Sequence, residues 1–301
     1  MTRHPLFGLG LATFGALVLT PDALFMRLSG MTGYQMVGWR GGLMGAVMLI
    51  LWAVTARGMT RELAVLASGT GALLVATQYV NMTLFSLGIA LAPVAVMLLG
   101  VATAPVFAAL LSWLVMGERT RPATWAAIAA VMAGLALAVS GGDGPGGESV
   151  AAGLAAGLGV ALVLALNFVL LRAHPEMPIP LVIGLGAALA GATGWAVTGP
   201  AQMTGGTVWA IAVCGFVILP VSFFSLSLAS RQTHASNVSL LLLLETVLGP
   251  LWVWIGVGER PEPVMLVGGA VVVASLALYL RQEGRRRANG RKRQRASQSG
   301  M

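Results

Sequence analysis

Glu245 is the residue whose type and surroundings suggest chemistry most directly. It follows the unbroken leucine run Leu240–Leu244 and lies near the middle of an apolar segment. A carboxylate inside a membrane is costly unless it faces protein or water, so such residues mark ion and substrate pathways. Glu245 is therefore predicted to bind and release a proton, or to pair with a substrate ammonium group. A structural carboxylate, which caps a broken helix or is permanently paired, is the alternative interpretation.

Asp22 is a second buried-carboxylate candidate, near the end of the first apolar segment. It follows Pro21, which donates no backbone hydrogen bond and favours a bend that frees carbonyl groups. Its carboxylate can pair with Arg27 or Arg40, which are both expected near the same membrane face. We interpret such a pair as part of an outer gate, with a static ion pair or an interfacial charge as the alternatives.

Amide side chains in the third and sixth apolar segments are candidates for substrate contact. Gln78 and Asn81 are three positions apart, so they share one helix face, and Tyr79 lies between them. Two amides on one face predict a polar lining, although hydrogen bonds between helices are the alternative. Asn167 carries no titratable proton but can donate a hydrogen bond to a substrate.

His234 begins the ninth apolar segment, close to Arg231 and three positions before Asn237. A histidine changes its charge near neutral pH and can therefore act as a switch. A histidine that is simply solvated at the membrane interface is the alternative.

Composition excludes a soluble protein and several kinds of cofactor site. Hydrophobic residues make up 57% of the 301 residues and charged residues 9%, with a mean hydropathy of +0.86. Soluble domains contain about 45–50% apolar and about 25% charged residues. The single cysteine allows no intramolecular disulfide, and the three histidines are too far apart in sequence to suggest a metal site. No ATP-binding or hydrolase motif occurs, so neither a cofactor nor an enzyme is predicted.

Ten membrane-spanning helices are predicted, because a span takes about 20 apolar residues. The fold class is therefore an all-α integral membrane bundle. The predicted spans are 6–26, 34–54, 64–86, 92–115, 122–140, 150–171, 179–198, 207–229, 235–257 and 263–281.

The positive charges predict that both termini are cytoplasmic. With that orientation, fifteen Lys and Arg residues lie on the inner side and three on the outer side, as the positive-inside rule requires. Most of the net charge of +8 sits in the basic tail 282–301 and its start at Arg281. A basic run directly after a last span is typical of a cytoplasmic end that contacts anionic lipids, and nucleic-acid binding is not predicted.

An internal repeat links the two halves of the chain. The block Gly117-Glu118-Arg119 recurs as Gly258-Glu259-Arg260, an offset of 141, and the ungapped stretch 106–137 shows 13 identities with its counterpart. A weaker echo at offset 145 pairs Asp22 with Asn167 and Arg27 with Arg172.

Five spans in each half give the repeats opposite orientations in the membrane. The predicted organisation is a first five-helix repeat at 1–140, a glycine-rich linker at 141–149, a second repeat at 150–281 and the tail at 282–301. Such inverted repeats let a central site face either side in turn, which is the architecture of secondary transporters.

At these residues the chain resembles the EamA-type branch of the drug/metabolite transporter superfamily. The resemblance covers residues 6–281, and its motifs are Trp39-Arg40, Ala92-Pro93-Val94-Ala95, Thr103-Ala104-Pro105-Val106-Phe107 and the repeated Gly-Glu-Arg. Leu244-Glu245-Thr246 stands where the family commonly has Leu-Glu-Pro, so the proline that would break this helix is missing. The resemblance implies ten helices and transport of small metabolites, often amino acids or related compounds.

Together these features predict a secondary active transporter of the bacterial inner membrane. It would export a small metabolite by alternating access, with protons as the coupling ion, as a monomer or a homodimer. A multidrug exporter of lipophilic cations is one alternative, although the aromatic content of 7% is low for an aromatic cavity. A membrane enzyme or sensor without transport activity is the other.

Overall fold

A computed structural model describes residues 5–56, 58–118 and 147–258, with scattered positions between 122 and 133 and residues 267 and 274. In these residues all regular secondary structure is helical. Thirteen segments follow one another along these ranges. They are α1 Pro5–Leu19, α2 Asp22–Ser29, α3 Gly33–Thr55, α4 Met59–Leu66, α5 Gly69–Leu91, α6 Val94–Val101, α7 Ala104–Met116, α8 Gly147–Ala173, α9 Ile179–Thr198, α10 Val208–Val213, the π-helical turn Cys214–Ile218, α11 Leu219–Gln232 and α12 Ala235–Val257.

Eight stretches of these helices are long and apolar enough to cross a membrane. They coincide with eight of the ten predicted spans, which confirms an all-helical membrane fold. The predicted spans 122–140 and 263–281 fall almost entirely outside the described residues, so the count of ten remains a prediction. The eight stretches are Phe7–Ser29, Gly33–Thr55, Gly69–Leu91, Val94–Met116, Ala151–Ala173, Ile179–Thr198, Val208–Gln232 and Ala235–Val257.

The first span is broken at Thr20-Pro21, where the proline predicted a bend. Helix α1 ends before this pair and α2 begins at Asp22. The indole Nε1 of Trp252 donates to Thr20 Oγ1 at 3.1 Å, which ties the break to the ninth span. The break places the carboxylate of Asp22 in the first turn of α2, where the helix dipole favours negative charge.

The fourth span is interrupted and the ninth is continuous. Helix α6 ends at Val101 and α7 begins at Ala104, with Pro105 in its first turn. Helix α12 continues through Glu245 and Thr246 to Val257 without interruption. The hydroxyl of Thr246 donates to the carbonyl of Leu243 at 2.8 Å, so the residue at the family's proline position continues the helix.

The four described spans of the first half and the four of the second half run in opposite directions. A Cβ atom added at Gly8, in the second turn of α1, would lie 2.7 Å from Cβ of Gln232 at the end of α11. Arg172, at the end of α8, donates to the carbonyl of Thr233 directly after α11. The first span of the second half thus ends at the membrane face where the first span of the first half begins. We call it the Glu118 face, because α7 also ends there.

The opposite face, where α2 ends and α3 begins, is the Gln35 face. In each half, the third span packs against the first and second spans of the other half. The third span of the first half, α5, packs against α8 and α9, and the eighth span packs against α1 and α3. This crossed packing, together with the opposite directions, is the geometry that an inverted repeat produces.

Helices α3 and α9, the second span of each half, touch backbone to backbone. A Cβ atom at Gly41 would lie 2.6 Å from the carbonyl oxygen of Ala187, and one at Gly191 would lie 2.3 Å from the nitrogen of Gly42. Only glycine allows helices to approach this closely in the membrane. The contact fixes the position of α3, and with it the position of Arg40.

Gly41→Ala is expected to lower the apparent melting temperature of the purified protein in detergent by several degrees. The added methyl group has no space against α9, and overpacking costs about 1–3 kcal/mol. Gly42→Ala is the matched control, because a Cβ atom there meets only Trp195 Nε1 at 3.9 Å. Equal melting temperatures for the two variants would contradict the packing.

Reporter fusions test the predicted topology. A green fluorescent protein fused after residue 301 is expected to fluoresce, because the positive-inside rule places this end in the cytoplasm. Alkaline phosphatase fused after residue 204, in the loop that follows α9, is expected to be active, because it needs export. Activity of alkaline phosphatase fused after residue 301 would contradict this topology and indicate the opposite orientation.

Candidate functional site

Four polar side chains from both halves meet at a small cavity in the centre of the bundle. Asp22, Arg40 and Asn81 come from the first, second and third spans, and Glu245 comes from the ninth. The cavity leaves about 20 Å³ to the centre of a water molecule, which is room for about one water. The remaining walls are apolar: Leu19, Met82, Phe85, Val101, Val160, Leu164, Leu219 and Phe223.

Asp22 and Arg40 form a buried ion pair at this cavity. The guanidinium Nη2 donates to Asp22 Oδ2, and the two side chains are 0% and 2% exposed. Arg40 Nη1 donates to Ser86 Oγ at 2.9 Å, and its guanidinium carbon lies 5.1 Å from the centre of the Phe85 ring. Of the two partners predicted for Asp22, the described structure therefore selects Arg40.

Glu245 lines the same cavity, and one of its carboxylate oxygens is unsatisfied among the described residues. Its side chain is buried, and Oε1 has no hydrogen-bond partner among the described residues. Within the described part of the chain, Asp22 Oδ1 and Arg40 Nε are also buried without a partner. Buried polar atoms that lack a hydrogen bond cost about 1–3 kcal/mol each. The centre of the molecule is thus incomplete as it stands and is suited to receive a proton or a polar ligand.

The charges of the site do not balance when both carboxylates are ionised. Two carboxylates then face one guanidinium, which leaves one negative charge in a buried place. Such a charge is strongly disfavoured unless a cation neutralises it. Either one proton or one cationic group of a ligand restores neutrality.

Among the amides predicted to contact substrate, only Asn81 lines the cavity. Gln78 directs Nε2 toward Met44 Sδ at 3.9 Å, and the Tyr79 hydroxyl lies 3.3 Å from Thr193 Oγ1. Asn167 donates to Thr77 Oγ1 at 3.1 Å. These three side chains therefore lie at contacts between helices in this conformation.

Arg27 lies at the end of α2, near the Gln35 face. Its Nη2 donates to the carbonyl of Ala92 at 2.9 Å, at the corner between α5 and α6. Asp22 binds Arg40 and not Arg27, so the two arginines near this face have separate partners in the described structure.

A second charged cluster closes the Glu118 face. Arg172 donates from Nε to Glu118 Oε2 at 3.1 Å and from Nη2 to Oε1 at 2.8 Å, a two-pronged contact. His234 Nδ1 lies 3.0 Å from the same Oε2. Partial burial of Glu118 would raise its pKa, but the hydrogen bonds and charges of Arg172 and His234 outweigh burial and hold the pKa below its usual value.

The sequence marks Glu118 and Arg172 as parts of the internal repeat, through the recurring Gly-Glu-Arg block and the echo between Arg27 and Arg172. Nothing in the sequence places these two residues together or brings His234 beside Glu118.

Backbone carbonyl groups close the Gln35 face. The loop after α9 accepts a hydrogen bond at Met203 from the Trp39 indole at 2.7 Å and another at Gln202 from the Gln35 amide. The backbone nitrogen of Thr207 donates to the carbonyl of Ser29 at 2.7 Å. Contacts between the two halves therefore lie on both sides of the central cavity.

Eight apolar spans around a buried charged centre define a multi-pass membrane protein. Residues 5–140 match the EamA-like transporter family. For this part of the chain the match confirms the resemblance inferred from the sequence motifs.

One solved crystal structure shares the fold nearly throughout. It covers 92% of this chain and 98% of its own, with a TM-score of 0.71 and 20% sequence identity. At this identity the likeness concerns the fold alone. No curated protein matches the chain.

Arg40→Met is expected to destabilise the protein more than any single change at an exposed arginine. It leaves the Asp22 carboxylate buried without its cation, which costs about 3–5 kcal/mol. The double variant with Asp22→Asn is expected to recover most of the loss. Apparent melting temperatures in detergent measure this, with Arg61→Met as the exposed control. A double variant as unstable as Arg40→Met would contradict the importance of the pair.

Proposed function

We propose that the protein is a secondary active transporter that exchanges a small metabolite for protons across the bacterial inner membrane by alternating access. The metabolite is an amino acid or a related compound with an ammonium group, and export is the working direction. The observation that carries this proposal is Glu245 Oε1, which is buried without a hydrogen-bond partner among the described residues and belongs to a side chain that lines a cavity between two oppositely directed halves.

The architecture supports transport by rocking of the halves. Oppositely oriented repeats give two related conformations around one central site. The cavity has room for about one water molecule in this conformation, so a metabolite can enter only after the halves move apart. An occluded intermediate of this kind is what alternating access requires between its two open states.

The charge balance supports exchange of a substrate for a proton. With the Asp22–Arg40 ion pair intact, the closed centre is neutral when Glu245 holds either a proton or a substrate ammonium group. The centre carries an uncompensated buried charge when Glu245 holds neither, and this penalises closure. The central site therefore switches from one membrane face to the other only when a proton or a substrate ammonium group is bound. This requirement couples the movement of substrate in one direction to the movement of protons in the other.

The surrounding residues suggest how a substrate is held. Asn81 offers an amide beside the charged centre, and the apolar walls accept a hydrocarbon portion. The unpartnered Arg40 Nε is available to a substrate carboxylate. In this proposal Asp22, Arg40 and Arg27 form the gate toward the Gln35 face, which faces outward. Gln78, Tyr79 and Asn167 contact substrate only if their helices shift.

A multidrug exporter of lipophilic cations is the second candidate. Phe85 and Phe223 on the cavity wall favour it, because aromatic rings attract cations. The two candidates differ at Arg40. A zwitterionic amino acid uses the guanidinium for its carboxylate, whereas a lipophilic cation is repelled by it.

Transport by purified protein in liposomes under an imposed pH gradient tests the proposal. Probes are apolar amino acids, the corresponding amines and carboxylic acids, and tetraphenylphosphonium. Flux of the zwitterions is expected to depend on the pH gradient, whereas acids without an ammonium group are excluded by the two carboxylates. Flux of tetraphenylphosphonium alone would favour the second candidate, and flux of the acids alone would contradict both.

Glu245→Gln is expected to abolish the dependence of flux on the pH gradient, because glutamine exchanges no proton. Substrate binding also weakens by about tenfold or more, since a hydrogen bond to a charged group contributes about 1.5–3 kcal/mol. Glu62→Gln is the matched control; that carboxylate accepts a hydrogen bond from Trp52 at the Glu118 face. Gradient-driven flux that is equal in the two variants would reduce Glu245 to a structural residue.

A further inference from the structure

Among the described residues, the cluster at the Glu118 face joins the two halves through the acidic side chain of Glu118. Glu118 follows the fourth span and belongs to the first half, whereas Arg172 and His234 belong to the second half. Arg172 Nη1 also donates to the carbonyls of Thr233 and Ser230, within its own half. Movement of the halves apart at this face therefore removes Glu118 and leaves the other contacts of Arg172 in place.

The geometry around Arg172 has a counterpart at the opposite face. Arg172 binds the carbonyl of Thr233, which ends the third span of its half, and Arg27 binds the carbonyl of Ala92, which ends the third span of the other. Both capping residues have extended backbones, with φ and ψ of −135° and 174° at Thr233 and −141° and 161° at Ala92. The two arginines thus occupy equivalent places, one near each face.

We infer that Glu118 and Arg172, with His234, form a latch that holds the Glu118 face closed and must separate for this face to open. This inference rests on the proposed alternating access. The two-pronged contact gives the latch a defined closed geometry, because both carboxylate oxygens are engaged by one planar guanidinium. The lowered pKa of Glu118 keeps its carboxylate charged at neutral pH.

Helix α12 connects the latch to the central site. His234 directly precedes its first turn, and Glu245 lies eleven residues further along the chain, a distance of about 16 Å at 1.5 Å per residue. A change in the charge of Glu245 that shifts this helix therefore acts directly on the latch. Coupling of two sites through one rigid element needs no other pathway.

The latch is tested by cysteine accessibility, which needs no substrate. A cysteine replaces Ser236, a buried residue in the first turn of α12 at the Glu118 face, in a Cys214→Ser background. Its rate of modification by a small charged maleimide reports opening of this face. Glu118→Gln is expected to raise the rate by about five- to a hundredfold, the range of typical coupling between two conformational states.

Matched variants distinguish opening of the Glu118 face from a loss of packing throughout the protein. Ser29→Cys reports on the Gln35 face, where this residue is buried, and its modification is expected to stay the same or to slow. Glu62→Gln removes a carboxylate at the Glu118 face whose bond to Trp52 lies within the first half, and it is expected to leave the Ser236→Cys rate unchanged. Glu118→Asp keeps the charge and is expected to give an intermediate rate.

The outcomes distinguish the latch from the transport proposal. Equal acceleration at both faces, or no acceleration at Ser236→Cys, overturns the latch. Acceleration at the Glu118 face alone supports it. If Glu118→Gln accelerates modification at the Glu118 face but no probe is carried in liposomes, only the transport proposal is contradicted. If gradient-driven flux occurs and Glu118→Gln leaves the modification rates unchanged, only the latch is contradicted.

Discussion

The buried ion pair between Asp22 and Arg40 is the interaction that the surrounding helices must accommodate. Taking two charges out of water is costly, and their attraction offsets the cost only with good geometry and added hydrogen bonds. The break at Thr20-Pro21 presents Asp22 at a helix start, and Ser86 engages a further guanidinium nitrogen. Asp22 Oδ1 and Arg40 Nε have no partner among the described residues, so the pair is only partly satisfied. The glycine contact of α3 with α9 and the approach of Gly215 to the backbone of Arg40 hold the arginine from two sides.

The spans and the first-span break could be predicted from the sequence, because both follow from local physics. Lipid requires long apolar helices, and proline interrupts the hydrogen bonds of any helix. The roles of Gln78 and Asn81 could not be separated in this way. Residues three apart share a face but point about 60° away from each other. Whether such a side chain meets Met44 or the central cavity depends on the neighbouring helices, which one sequence does not show.

Within the described ranges, the contacts between the halves differ in kind at the two faces. Charged groups meet at the Glu118 face through Glu118 and Arg172. The contacts of Gln35 and Trp39 at the Gln35 face are made to backbone carbonyl groups. The repeat in the sequence revealed that Glu118 and Arg172 belong to recurring blocks. It did not reveal that the ends of α7 and α8 lie together, because that contact follows from the tertiary arrangement of two helices separated by the linker.

The contact of α3 with α9 joins the same helix of each half, as an interface between two identical antiparallel subunits would. A pair of identical subunits holds two copies of every group. Here Asp22 corresponds to Asn167 at offset 145, and Glu245 corresponds to Ala104 at offset 141. Because the halves belong to one chain, their residues need not match, and the cavity is lined by three ionisable side chains, Asp22, Arg40 and Glu245. An odd number of that kind cannot arise in a symmetric dimer.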